Sequence, residues 1–87
     1  MADTGSNPTS TSELQRGFRR TGWTVDDLWV AAVGVGGSLD HVDIAGITSG
    51  RRAATPLEHD VLATALNDFF VDRGQDHPVT IWSDLPA

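Results

Sequence analysis

Cysteine and lysine are both missing from this chain of 87 residues. Without cysteine there is no disulfide framework and no thiolate metal site, which excludes a stapled secreted miniprotein. Without lysine, the six cations are all arginine, set against twelve carboxylates for a formal charge of −6. That balance argues against a nucleic-acid-coating protein, a polybasic membrane anchor and a heparin binder. No apolar run approaches the ~18–20 residues of a membrane span. The N-terminus also lacks the basic and apolar regions of a signal peptide. The hydrophobic fraction is 39%, and so short a chain buries only about 60–65% of the surface its unfolded form exposes. One small acidic domain in the cytoplasm is the expectation. The arginine-only cations, with heavy use of Ala, Val, Asp and Thr, suggest a bacterial genome of high GC content.

Small and polar residues dominate from Met1 to Thr11, so residues 1–11 are expected as a disordered tail. Ser12 and Gln15 fit a capping box, and Leu14 and Phe18 share a face, which predicts a short helix over Glu13–Arg20. Gly17 weakens it and Gly22 stops it. A second helix follows a Thr24 cap, with Asp26 and Asp27 in its first turn and an apolar stripe of Val25, Leu28, Trp29 and Ala32. Gly34, Gly36 and Gly37 end it. Ser38 then reads as the cap of a third helix over Leu39–Ile47, although His41 to Ile44 also alternates as a strand does.

The strongest signal is Thr55-Pro56-Leu57-Glu58, which combines a cap, a proline at the first helical position and a capping-box glutamate. It opens a helix from Pro56 to Arg73 whose apolar face carries Leu57, Val61, Leu62, Ala65, Leu66, Phe69 and Phe70. Val79 to Trp82 has strand composition without a partner strand, so Ile81 and Trp82 are expected to pack back on the bundle. The fold class is therefore all-α: a small bundle of three to four short helices with a long C-terminal helix and disordered ends. Residues 12–74 form the helical domain, and 75–87 an extended tail packing on that domain or on a partner.

Chemistry is weakly signalled. Asp40-His41, His59-Asp60 and Asp76-His77 pair each histidine with an aspartate, but the histidines lie far from the i,i+4 spacing of a helical metal site. Neighbours on a helix also point about 100° apart and cannot share an ion, so all three histidines are expected on the solvated surface. No serine sits in a G-x-S-x-G elbow, and no carboxylate pair stands out as acid and base. Gly34-Val35-Gly36-Gly37 lacks the lysine of a phosphate loop and follows a helix, which makes it a helix–helix connection. No catalytic residue, metal or cofactor is assigned.

Helix–Gly–helix from Leu28 to Ile47 resembles a helix-turn-helix motif. Ala31 and Ala32 are small where the helices approach, Gly36 falls at the family's turn glycine, and Val42 and Ala45 take apolar positions of the second helix. The resemblance implies a DNA-binding component of a transcriptional regulator. Arg51 and Arg52 are its candidate nucleic-acid contacts, with Arg19 and Arg20 as further phosphate partners. The recognition helix, however, would present Asp40, His41 and Asp43, and phosphates repel two of these. Nucleic acid is accordingly disfavoured.

Trp23, Trp29 and Trp82 are many for this length, and tryptophan is enriched at interface hot spots. Trp23 reads as a hydrophobic staple on Leu28 and Trp29 as core. Phe69 and Phe70 project in different directions, which suits either a wide core stripe or a helix buried on two sides in a complex. The leading expectation is a non-enzymatic, acidic protein–protein interaction module, an adaptor or regulator, with a homodimer as one form. Phe69, Phe70 and Trp82 are its candidate interface, with Phe70 at the centre. A helix-turn-helix regulator is the alternative, and a small enzyme or ligand-binding protein comes third.

Overall fold

Asn7 and Pro8 open the first helix with the device expected at Thr55-Pro56. The Asn7 side chain accepts from the Thr9 amide, and proline occupies the first turn, where a missing N–H costs nothing. The computed structural model describes residues 7–76 and 78–86. Four α-helices run through them: α1 (Pro8–Thr21), α2 (Val25–Gly34), α3 (His41–Thr48) and α4 (Pro56–Val71). A 3-10 turn follows at Trp82–Asp84. No strand occurs among the described residues, so the fold is the expected small helical bundle. The start of α1 corrects two expectations. Ser12 is not its cap, and residues 7–11 are not tail, because Ser10 is already buried at 1% exposure. The rest of the expected N-terminal tail lies outside the described residues.

The caps set the phase of every later element. Thr55 and Glu58 form the expected reciprocal capping box on α4, and on α2 the expected Thr24 cap proves to be boxed with Asp27. In α3 the cap is Asp40, boxed with Asp43, and not Ser38. Residues two apart on a helix point about 200° from one another, so burying Ile44 turns Val42 outward. Ile44 and Ile47 face inward, while Val42 is 79% exposed. The α4 helix ends at Val71. Residues 72–75 leave it in a turn closed by the Arg73 and Gln75 amides donating to the Phe70 carbonyl.

Packed against both α1 and α2, α4 is the centre of the bundle. Its buried residues are His59, Leu62, Ala63, Ala65, Leu66, Asn67 and Phe70, a stripe wide enough to face two neighbours. Leu14, Leu28, Ile44 and Ile47 complete the core. Phe70 is 1% exposed and carries the Arg20 guanidinium 4.9 Å above its ring. The second side of α4 is thus covered within the chain, and Phe70 cannot be the centre of an interface. Leu57 is 74% exposed, because it lies about 200° around the helix from His59.

The segment after α4 solves the problem of a strand without a partner. Val79 exchanges two hydrogen bonds with the Asn67 side chain: its amide donates to Oδ1 at 2.9 Å, and Nδ2 donates to its carbonyl at 2.8 Å. The Thr80 amide donates to Glu13 Oε1 and the Trp82 amide to Asp60 Oδ1. Side chains of α1 and α4 therefore stand in for a neighbouring strand, and Val79 is buried at 3% exposure. Gly17 makes room for this packing. A Cβ there would sit 2.6 Å from Val79 Cγ2 and 3.3 Å from Leu66 Cδ1.

Candidate interaction clefts

The three histidines have different fates. His41 is exposed, pairs with Asp26 at 2.7 Å and stacks on Trp29. His77 lies outside the described residues. His59, expected on the surface, is wholly buried. Its Nε2 is 2.6 Å from the Thr80 carbonyl, which only accepts, so this nitrogen carries hydrogen. Nδ1 is then free to accept from the Ser10 hydroxyl at 2.7 Å. A serine beside an imidazole is the first half of a nucleophile and base. Here the hydroxyl is 1% exposed, a substrate has no approach to it, and the pair ties α1, α4 and the C-terminal segment together. Among the described residues, no group of three or more His, Asp or Glu side chains converges as metal ligands.

Trp82 stands half-buried with its ring edge-on to His59, 5.8 Å between centroids, so it packs on its own chain. Phe69 is half-buried on another side of α4, edge-on to Trp23 and covered by the Arg73 guanidinium at 3.6 Å. Trp23 therefore staples to Phe69. The three proposed interface residues do not share a surface: Phe70 is core, and Phe69 and Trp82 lie on different sides of the helix.

Phe69 belongs to a cleft of about 380 Å³ between α4 and the end of α2. Trp23, Ala31, Val35 and Ala65 give it apolar walls, and Asp68, Asp72 and Arg73 stand around it. Further along α4 a second cleft, of about 310 Å³, runs under the α2–α3 connection. Leu39, Leu57 and Val61 line it, with Asp43 and Glu58 beside them. In the wall of the second cleft Gly37 rests on Val61; a Cβ at Gly37 would come within 2.5 Å of Val61 Cγ1 and 3.0 Å of the Ala32 carbonyl. Sequence reading missed these clefts because it placed Leu57 and Val61 in the core.

Charge around the clefts is mainly negative. Glu58 pairs with Arg52 at 2.6 Å. Burial pushes the Glu58 carboxyl up, but the Arg52 guanidinium and the Thr55 backbone together hold it below its usual 4.5. The Asp43 amide holds the Asp40 carboxyl below its usual 3.8. Arg52 is thus engaged by Glu58, whereas Arg51 is exposed just past α3.

Helices α2 and α3 pack together across the connection formed by residues 35–40. The beginnings of both helices carry the carboxylates Asp26, Asp27, Asp40 and Asp43, three of them cap or capping-box residues. Among the described residues, no helix is long and apolar enough to cross a membrane. The chain matches no protein-family model, no curated protein and no solved structure.

Proposed function

We propose that the protein is a non-enzymatic interaction module, an acidic adaptor or regulator that binds another protein in the bacterial cytoplasm. The carrying observation is the pair of apolar clefts along α4, where Leu57 is 74% exposed on a helix whose other faces are packed. An exposed leucine beside a preformed cleft is the kind of anchor point that protein partners use. Affinity purification of the full chain from its own cells, followed by sedimentation at micromolar concentration, tests the reading. A stoichiometric protein partner or a concentration-dependent dimer is expected, and Leu57→Glu should deplete it at least fivefold. A monomer that retains no protein overturns it.

A second reading is favoured by the packing of α2 on α3 and by the exposed Arg51: a helix-turn-helix component that grips duplex DNA. The four aspartates at the helix starts oppose it, because the end that would enter the groove repels phosphate. No duplex binding is expected near physiological salt. A mobility shift that Arg51→Ala and Arg52→Ala abolish would reverse the order of the two readings.

A further inference from the structure

The interaction-module reading leaves the partner open, and the clefts narrow it. Helical periodicity relates them: Leu57 and Val61 of one stand eleven residues before Asp68 and Asp72 of the other. Eleven residues make about three turns and ~16 Å of rise, so the clefts lie along one side of α4. Gly37 lies close against Val61 in the wall of the second cleft, which leaves that wall no room for a larger side chain. A helix lying along α4 matches this spacing, with bulky apolar anchors three turns apart.

Charge identifies its flanks. Asp43, Glu58, Asp68 and Asp72 line the clefts, and the cations beside them are Arg52, already bound to Glu58, and Arg73, laid over Phe69. Asp68 and Asp72 are exposed and stand at the C-terminal end of α4, whose last turn carries no basic residue. Carboxylates at that end oppose the helix dipole, so they are placed against local stability. Departures of this kind from local preference mark functional positions.

We infer that the two clefts along α4 bind a basic amphipathic helix of a partner protein, its apolar anchors entering beside Leu57 and Phe69 and its Lys or Arg side chains meeting Asp43, Asp68 and Asp72. This is the helix-in-groove mode of recognition, with electrostatic complementarity setting orientation.

The test uses the full chain and a synthetic capped peptide of ~16 residues, long enough to span both clefts. It carries leucines three turns apart on one face, alanine between them and lysine on the flanks. A peptide of the same composition with its leucines scattered around the helix is the control. Backbone amide shifts should move in residues 35–39 and 57–72, and half-molar salt should weaken binding about tenfold. Asp68→Asn with Asp72→Asn should also cost about tenfold. That double variant folds at least as well as the parent, because it removes charge from the wrong end of a helix. Asp26→Asn with Asp84→Asn removes equal charge elsewhere and should change affinity less than twofold.

Equal binding of the scattered peptide, equal sensitivity to the control double variant, or shifts outside the clefts would each overturn the inference. So would no binding at millimolar peptide, or a homodimer or duplex complex whose shifts fill the same clefts. If the inference fails while a stoichiometric protein still co-purifies and resists Asp68→Asn with Asp72→Asn, the module reading stands and only this surface is rejected.

Discussion

Replacing His59 with leucine keeps a bulky apolar group at a wholly buried position and removes both ring nitrogens. It strands the Ser10 hydroxyl, which is 1% exposed, and takes the donor from the Thr80 carbonyl. A buried polar group left unsatisfied costs about 1–3 kcal/mol. Thr80 is only half-buried, so water recovers part of its loss, and the sum comes to about 2–4 kcal/mol. Domains of this size hold roughly 4–13 kcal/mol in all, and each kcal/mol moves the melting point by about 4–8 °C. His59→Leu should therefore melt some 8–32 °C below the parent, read by far-ultraviolet circular dichroism and urea titration. Adding Ser10→Ala removes the stranded hydroxyl and should return about 1 kcal/mol, so the double variant is more stable than the single one. If His59→Leu unfolds within ~0.5 kcal/mol of the parent, or if Ser10→Ala makes it worse, the triad is not what holds these segments together.

The core assignment gives a sharper contrast. Leu66→Ala at a wholly buried site should cost about 2–5 kcal/mol, whereas Leu57→Ala should stay within ~0.5 kcal/mol. Phe70→Asp should unfold the protein and not merely solubilise it, because Phe70 is 1% exposed; circular dichroism decides between these. Glu58→Gln tests the Arg52 pair through pH. The folded carboxyl lies below its usual 4.5, so its stabilisation is complete above about pH 4.5 and fades as pH falls through the folded value. The gap in urea midpoint between parent and Glu58→Gln should be constant from about pH 7 to 5 and shrink below that.

The helices were largely legible, because caps and periodicity are local signals. Thr24 with Asp27 and Thr55 with Glu58 place α2 and α4 correctly from spacing alone. Asn7-Pro8 carries the same signal but sits in a stretch whose composition resembles a tail, and Ser12 offered a plausible substitute. Ser38 read as the cap of α3 where Asp40 holds that place, and Val42 read as apolar face where Ile44, about 200° away, is the buried residue. What was hidden is tertiary. His59 and Asn67 look like polar residues on an outer face until the later segment supplies Thr80 and Val79 as their partners. Phe70 signalled a wide apolar face, and only the packing of α1 and α2 on both sides of α4 shows that the chain covers it by itself.

The bonds that hold the C-terminal segment differ widely in reach, and that sets an order in time. Asn67 and Val79 are 12 residues apart, Asp60 and Trp82 are 22 apart, yet Ser10 to His59 spans 49 and Glu13 to Thr80 spans 67. Closing the longer loops costs more chain entropy, so the expected order has the segment folding back on α4 before α1 docks on it. Contacts formed after the rate-limiting barrier govern escape from the native state and leave its formation almost untouched. Trimming Glu13 to alanine should accordingly raise the unfolding limb of a chevron, its slope unchanged, while the refolding limb stays where it was. The lifetime of the folded protein is then set at its first helix.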